Sequence, residues 1–579
     1  MILTLSDAQR KAVFHRHGPL LVLAGPGSGK TRILTEHARY LMQGLHVPAQ
    51  RILAVTFSRR AAGEMKSRLA DTGIEPSTFH GFFYRILRKD PAYVRYRAAD
   101  TGVCESIFAG VLKDLQPLFP QDHESVSRYL SEIRREPERS REETELLQEY
   151  RRRMQSAGLM DFDEMAEYLM RMLTEHPEMI GRIRRRYTHL LIDEFQDISP
   201  EQYQIVRMIF LPDAHVFAVG DDDQAIYAFR GAAPAIMRRF VNDYAPCSVL
   251  SMTGNYRSAA QIVRASSRLI AHNHGRWKKR LYAANELNGA VRLLRFSDER
   301  AEAEQIARLC GEYCRRHVDH CEMAVLARTH DELSICRSAL SAAGIPFTEG
   351  AQERALTDHP YVRDLLAYFD LAAGSRRRSD LLRVLNKPQR WIPREALDQR
   401  TFSFEELIQR NAKKPETVDS VRRLQQDVRM LSGLEPSAAL TYIRRVIGFK
   451  PETQEEELLE ARLRRLAETC PDTGSFLAAA AGERIAADRG DGVSLMTLHA
   501  AKGLEFRVVF LLHLNEGLLP LRQIGEAENI EEERRLTYVG MTRAKQLLLL
   551  TSLDSYRQKR RDPSRFLRET GLTREETER

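Results

Sequence analysis

The sequence has few cysteines and no long apolar run, and each absence excludes a class of protein. Seven cysteines in 579 residues are an odd number, which argues against a disulfide framework and fits a reducing compartment. No apolar run approaches the ~20 residues that a membrane-spanning helix needs. The first residues lack a basic segment followed by an apolar one, so we expect no signal peptide and a cytoplasmic location.

Repeats and low-complexity segments are also absent, and the composition is that of a large globular protein. A chain of 579 residues exceeds one compact core, so we expect about three or four structural units. The formal net charge of +8 suits a polyanionic partner such as nucleic acid. A bland basic surface would give the same balance, so charge alone does not decide.

Short apolar runs alternate with helical patterns along the chain and predict an α/β fold. Because such strands form parallel sheets, ligands are expected at the carboxyl ends of the strands. The runs are residues 20–23, 52–55, 189–192, 215–219, 323–326, 493–496, 508–512 and 547–550.

Two charged, helical stretches interrupt these strands, which predicts two parallel-sheet cores, each with a helical insertion. The predicted domains are residues 1–88 and 163–254 for the first core, 89–162 for its insert, 255–385 and 491–567 for the second core, 386–490 for its insert, and 568–579 for a charged tail.

A cluster of cysteine and histidine raises the question of a zinc site. The spacing is not the paired arrangement of structural zinc sites, so we expect ordinary helix and loop residues, with zinc as the alternative. The cluster comprises Cys310, Cys314, His317, His320 and Cys321.

A glycine-rich segment follows the first apolar run and opens a helical pattern. This order of strand, loop and helix is typical of a phosphate-binding loop, in which backbone N–H groups and the helix N-terminus face the phosphates. Lys30 is expected to reach the β- and γ-phosphates, and the Thr31 hydroxyl to hold Mg²⁺. The loop comprises Ala24, Gly25, Pro26, Gly27, Ser28, Gly29, Lys30 and Thr31.

Two carboxylates, Asp193 and Glu194, end the buried run 189–192. At the carboxyl end of a strand beside the phosphate loop, Asp193 is expected to bind Mg²⁺. Glu194 is then the expected base that polarises the attacking water.

Residues 192–197, with the sequence IDEFQD, resemble the Walker B motif of superfamily 1 helicases of the UvrD/Rep/PcrA type. The other motifs of that family follow in the family's order over nearly the whole chain. They are matched by residues 5–9 (Q motif), 56–62 (Ia), 78–80 (Ib), 161–164 (acidic motif), 220–227 with 229–232 (III), 255–258 (IV), 497–506 (V), and 532–539 with 542–544 (VI).

This resemblance implies two RecA-like cores and assigns further roles in the ATP site. Gln9 would read the adenine edge, and Arg32 and Tyr256 would sandwich the ring. Gln224 would contact the γ-phosphate, and Glu505 would touch the ribose. From the second core, Arg257 and Arg543 would be arginine fingers, which stabilise charge in the transition state.

The resemblance also places a single-stranded DNA track across these motifs. Aromatic rings stack on bases without reading their sequence, and Phe229 stands where several family members have tryptophan. The expected DNA contacts are Phe57, His80, Tyr227, Phe229, Arg230 and His499.

The expected function is therefore that of an ATP- and Mg²⁺-dependent 3′→5′ DNA helicase in repair, recombination or replication restart. Its expected partners are single-stranded DNA, junctions of single- and double-stranded DNA, and repair or replication proteins, with no membrane. Because the second insert is shorter than is typical of the family, a translocase that displaces proteins with little unwinding is one alternative. A non-catalytic scaffold that binds DNA or a partner is the other.

Overall fold

The computed structural model divides into two compact units, Met1–Thr348 with Asp491–Arg579, and Glu349–Gly490. The larger unit carries the two largest sheets, which have six and seven strands. No helix among the described residues is both long and apolar enough to cross a bilayer. The structure describes residues 5–99, 101–116, 126, 129–130, 132–134, 139–162, 164–227, 235–349, 354–393, 401–451, 453–468, 470–482, 484–485, 492–522, 529–572 and 577–578.

The first sheet has six strands that pair in parallel. Their spatial order is Ser77–Thr78, Ile52–Thr56, His189–Ile192, His215–Gly220, Leu20–Ala24 and Ser248–Met252. The four predicted strands are confirmed, because their apolar residues are buried between helices on both faces. Ser248–Met252 was missed because it is an edge strand whose residues are mostly exposed.

Helices flank this sheet, and two of them form a separate helical segment. Thr101–Leu115 and Arg141–Ser156 pack around Phe108 and Tyr150. The strands Arg97–Ala98 and Leu159–Met160 pair in parallel where the chain enters and leaves this segment. The α-helices of the first core and its helical segment together are Asp7–Val13, Lys30–Gln43, Arg59–Arg68, Phe79–Leu87, Thr101–Leu115, Arg141–Ser156, Met165–Glu175, Pro177–Arg186, Pro200–Ile209 and Ala235–Asp243.

The second sheet has seven strands, and all four predicted strands lie in it. Their order is Phe347–Glu349, Val493–Thr497, Met323–Ala327, Phe506–Leu511, Ala544–Leu553, Ala290–Phe296 and Thr577–Glu578. Ala290–Phe296 was missed because Arg292 and Arg295 interrupt its apolar pattern. The helices are Ala260–Ile270, Glu299–Arg315, Ser334–Ala342, Ile530–Met541 and Arg565–Glu569.

The smaller unit is helical and begins at Glu349, before the predicted residue 386. Its helix Pro360–Ala372 buries Leu365 and Phe369 in the same apolar cluster as Leu424 and Phe476, so this helix packs with the insert. Its helices are Pro360–Ala372, Arg378–Val384, Phe404–Arg410, Pro415–Ser432, Pro436–Tyr442, Gln454–Glu468 and Thr473–Gly482.

A buried ammonium group joins the two sheet-bearing cores within the larger unit. Lys279 Nζ lies 2.5 Å from Asp221 Oδ1, 2.5 Å from Asp222 Oδ1 and 3.0 Å from Asp223 Oδ2. Arg276 donates two hydrogen bonds to Asp223. Among the described residues, the three aspartates are the one group of three or more His, Cys, Asp or Glu side chains close enough together to hold a metal ion, and Lys279 supplies the positive charge there. Burial disfavours its charged form, but the carboxylates raise the pKa of Lys279 above its ordinary value.

Four histidines gather at the amino ends of the strands of the first sheet. His37 Nδ1 donates to the Val13 carbonyl at 2.8 Å, so its neutral Nε2 accepts from His215 Nε2 at 2.9 Å. His15 and His189 lie against His215. Burial lowers the pKa of His37 to about 3, of His215 to about 2 and of His189 to about 4.

Replacing Lys279 by methionine is expected to lower the free energy of unfolding by about 3–5 kcal/mol, because it leaves buried carboxylates without a counter-charge. Lys278→Met alters the exposed neighbouring lysine and is the matched control. It should change the free energy of unfolding by no more than about 0.5 kcal/mol. Urea denaturation of the two variants measures both values. Equal stability of the two would contradict the role given to Lys279.

The buried histidines make the first core sensitive to acid. Their pKa in the folded protein lies below the ordinary value of 6.5, so the unfolded chain binds protons first. The stability that they contribute is fully present above pH 6.5 and is lost progressively as the pH falls from 6.5 towards the folded-state pKa values of about 3 for His37 and about 2 for His215.

When the pH is lowered from 6.5 to 5, the free energy of unfolding of the unaltered protein should fall. In the His215→Asn variant this fall should be smaller by about 1–2 kcal/mol. His272→Asn, at an exposed position, is the control and should keep the pH dependence of the unaltered protein. An identical pH dependence in both variants would show that the buried histidines are not the cause.

Candidate active site

The phosphate loop is held by two glycines in left-handed backbone. Gly27 has a φ of 66° and Gly29 a φ of 86°, a region that other residues adopt only at a cost. Gly29 caps the helix Lys30–Gln43, whose first N–H groups have no partner within the helix. A β-carbon on Gly27 would lie 2.7 Å from Arg257 Cβ and 2.7 Å from Asn255 Oδ1. Backbone freedom and lack of space therefore both require glycine at this position.

A hydroxyl and a carboxylate, both predicted site residues, meet beside the phosphate loop. Thr31 Oγ1 donates to Asp193 Oδ2 at 3.0 Å, although the two residues are far apart in the sequence. Burial, followed by the charge of Glu194, raises the pKa of Asp193 to about 7, which Lys30 opposes. Oxygen ligands of this kind are those that Mg²⁺ prefers, so the pair fits such an ion.

Glu194 follows in a left-handed conformation, with a φ of 51°. For a residue with a side chain this backbone stores strain, which is common at functional sites. Its carboxylate accepts a hydrogen bond from Gln196 Nε2 at 2.6 Å. Burial opposes ionisation, but Lys30 and Lys502 bring the pKa of Glu194 below its ordinary value. The carboxylate is therefore ionised near neutral pH and can orient a water molecule.

Gln9 lies next to the phosphate loop and takes part in the cap of the first helix. It is buried, and its Nε2 donates to the Ser28 carbonyl at 2.9 Å. Ser6 and Gln9 form a reciprocal capping box at the start of the helix Asp7–Val13. Arg32 and Tyr256 are exposed, so their side chains are open to a ligand.

The second core contacts the loop directly. The Tyr256 N–H donates to the Gly27 carbonyl at 2.9 Å, and Arg257 Nε donates to Glu505 Oε2 at 2.7 Å. These contacts, together with the close approach of Arg257 Cβ to Gly27, place Arg257 against the phosphate loop.

Arg543 lies in the same region but is almost completely buried, with an exposed fraction of 2%. Its Nη2 donates to Gln224 Oε1 at 3.4 Å, and its other donors reach the carbonyls of Val539 and Leu504. Burial, followed by repulsion from Arg257, lowers the pKa of Arg543 to about 9. Gln224 in turn donates to Asp221 Oδ2 at 2.6 Å. The structure thus brings Gln224, Arg257, Glu505 and Arg543 together.

Lys502 is a functional candidate to which the sequence reasoning gave no role. Its Nζ lies 2.7 Å and 2.5 Å from the Asp197 carboxylate oxygens and donates to the Gln224 carbonyl at 2.8 Å. It also lies 4.8 Å from the centroid of the Tyr227 ring. Lys502 therefore connects Walker B, motif III and motif V. Both Lys502 and Asp197 belong to recognisable motifs, but only the folded chain shows that they pair.

The aromatic candidates for DNA contact lie in segments that follow strands. Phe57 and Tyr227 stack, with ring centroids 4.9 Å apart and planes at 23°. The edge of the His80 ring packs against Phe162, and His499 follows the strand Val493–Thr497. All four candidate side chains are partly exposed. Phe229 and Arg230 lie outside the described residues.

Comparison with known families gives two matches that span most of the chain. The UvrD/REP helicase N-terminal domain matches residues 5–245. The UvrD-like helicase C-terminal domain matches residues 250–427 and 446–555. The second match begins at residue 250, within Ser248–Met252, the edge strand of the first sheet.

Individual relatives also match over nearly the whole chain. The chain is 30% identical to the ATP-dependent DNA helicase PcrA of Bacillus subtilis, over 95% of the chain and 82% of that protein. It is 29% identical to the ATP-dependent DNA helicase Rep of Salmonella typhimurium, over 98% of the chain and 94% of that protein. The resemblance inferred from the motifs is confirmed, and the chain belongs to the UvrD/Rep family of ATP-dependent DNA helicases.

Proposed function

We propose that this helicase moves 3′→5′ along single-stranded DNA and separates duplex strands in repair, recombination or replication restart. The observation that carries the proposal is the meeting of both cores at the phosphate loop, where Arg257 packs against Gly27. A nucleotide bound there would contact both cores, so its hydrolysis can change their relative position. The direction of movement rests on the family resemblance.

Each site residue has a proposed part in hydrolysis. Lys30 and the N–H groups of the loop bind the phosphates, while Glu194 orients the attacking water. Gln224, Arg257 and Arg543 stabilise the negative charge on the γ-phosphate in the transition state. Thr31 and Asp193 would hold Mg²⁺, which supplies charge neutralisation between the phosphates when it is bound. Gln9, Arg32 and Tyr256 position the base, and Glu505 the ribose.

The same contacts connect hydrolysis to the DNA surface. Gln224 is hydrogen-bonded to Arg543 and, through its carbonyl, to Lys502. Lys502 also lies against Tyr227, which stacks on Phe57. Loss of the γ-phosphate would therefore change the surroundings of the aromatic rings that we propose to stack on bases. His80, His499, Phe229 and Arg230 complete the proposed track.

Three further proposals concern the DNA substrate of the motor, its protein partners and its location. We propose junctions of single- and double-stranded DNA as its substrates and repair or replication proteins as its partners. A cytoplasmic location also remains a proposal. A translocase that displaces proteins with little unwinding is the second candidate function.

Arg257→Ala is expected to lower the kcat for ATP hydrolysis by about 10³-fold or more, because an arginine finger acts mainly in the transition state. ATP binding should change much less. Arg264→Ala alters an exposed arginine on the helix Ala260–Ile270 and is the matched control. Steady-state ATPase assays with single-stranded DNA measure the effect, and a kcat close to that of the control would contradict the role of Arg257.

Strand displacement tests the direction and the unwinding activity together. Duplexes with a 3′ single-stranded tail should be unwound, and duplexes with a 5′ tail should not. Lys30→Ala, which removes the charge at the phosphates, should bind the DNA but separate no strands. Unwinding of only the 5′-tailed duplex would refute the proposed direction.

Two other outcomes would select the alternatives. Hydrolysis that DNA stimulates, without separation of either duplex, would favour the translocase. A Lys30→Ala variant that complements a deletion strain fully would favour the non-catalytic scaffold. Stimulation by single-stranded RNA equal to that by DNA would refute the DNA specificity.

A further inference from the structure

A cavity of about 360 Å³ lies where the helical segment leaves the first core. It borders the strand Leu159–Met160, which pairs with Arg97–Ala98 at this point. None of the described residues of the nucleotide site lines it, so it is a separate feature. The chemistry of its wall is dominated by Tyr93, Arg95, Tyr96, Gln155, Tyr168 and Arg171.

The wall of this cavity carries positive charge from Arg95 and Arg171, and Glu175 acts on Arg171 from outside the lining. Arg171 Nη2 donates to the Tyr93 hydroxyl at 2.9 Å, and Arg95 Nη2 to the Tyr96 hydroxyl at 3.1 Å. Neither guanidinium pairs with a carboxylate among the described residues, and none of those that line the cavity is acidic. The nearby Arg151, in contrast, is paired with Glu164. The cavity therefore favours an anionic group.

Three tyrosine rings also line the cavity. The Tyr93 and Tyr168 rings lie 5.8 Å apart with their planes at 37°. The Tyr168 hydroxyl donates to Glu164 Oε2 at 3.0 Å, which fixes that ring independently of a ligand. The Tyr96 backbone is held by the Tyr84 hydroxyl, which donates to its carbonyl at 3.2 Å. Arg95 lies over the Tyr96 ring and Arg171 over the Tyr168 ring, so a planar base would stack on the ring faces that these guanidinium groups leave uncovered.

We propose that this cavity binds one nucleoside phosphate. The base would stack on the tyrosines, and the phosphate would lie against Arg95 and Arg171, which bind phosphate through forked N–H donors. The Gln155 amide offers both a donor and an acceptor for the edge of a base. A cavity of about 360 Å³ is near the lower end of the ligand-site range of ~300–1,000 Å³ and suits one nucleotide.

Two sources could supply this chemistry. One is a free mononucleotide, and the other is a single nucleotide turned out of a bound DNA strand, as in proteins that flip bases. The second source rests on the proposed movement along DNA, whereas the first does not.

Photo-crosslinking with 5-bromodeoxyuridine tests the proposal. The full-length protein is first saturated with a non-hydrolysable ATP analogue and Mg²⁺, so that the phosphate loop is occupied. One arm then receives 5-bromodeoxyuridine 5′-monophosphate, and the other an oligothymidylate with one 5-bromodeoxyuridine. Peptide mass spectrometry after illumination should find the label on Tyr93, Tyr96 or Tyr168.

A charge variant provides the quantitative control. Arg95→Gln with Arg171→Gln should reduce labelling of these tyrosines about tenfold or more, since two charge-assisted contacts are lost. Arg88→Gln with Arg182→Gln removes two exposed arginines outside the cavity and should leave the labelling unchanged. Labelling by the monophosphate indicates a small-molecule site, and labelling by the oligonucleotide alone indicates a turned-out nucleotide.

Either of two results would overturn the proposal. One is the absence of label on all three tyrosines in both arms, and the other is equal labelling in the two double variants. DNA-stimulated ATP hydrolysis is measured on a separate portion of each protein, to which no ATP analogue has been added. If that activity persists while the cavity is not labelled, the cavity proposal fails and the proposed motor function does not.

Discussion

The arrangement of the two cores depends on buried positive charge from the second core that neutralises acids of the first. Lys279 lies among Asp221, Asp222 and Asp223, and Lys502 pairs with Asp197. Removing charges from water is costly unless each has a partner at close range. The folded chain therefore tolerates these acids only while Lys279 and Lys502 remain paired with them, and these contacts help to hold the arginines of the second core near the phosphate loop.

The site also depends on a property of parallel sheets. Their strands end at one edge, so loops from distant parts of the sequence meet there. Thr31, Asp193 and Gln224 all follow strands of the first sheet, and hydrogen bonds join Thr31 to Asp193 and Gln224 to Arg543. The chemistry of the site is thus distributed over short loops, while the rigid strands fix the distances between them.

The sequence predicted strands and site residues well where the physical signal is local. Strands such as Ile52–Thr56 are buried on both faces and read as continuous apolar runs, whereas the exposed edge strand Ser248–Met252 does not. The glycines of the phosphate loop are likewise visible as a pattern. Lys279 was not predicted, because it lies in a basic stretch that resembles a solvated surface. Its role follows only from a tertiary contact with the aspartates, which no local pattern reports.

The hydrogen bonds that hold Gln9 in the helix cap bear on which purine base the site prefers. Its Oε1 accepts the Ser6 N–H and its Nε2 donates to the Ser28 carbonyl, so the orientation of the amide is fixed before any base arrives. The amide retains one hydrogen to donate and one lone pair to accept. Adenine offers the complementary acceptor and donor side by side in N7 and the N6 amino group, whereas guanine presents two acceptors there. If Gln9 reads the base as proposed, discrimination between purines originates in the fold of the first helical turn of the protein.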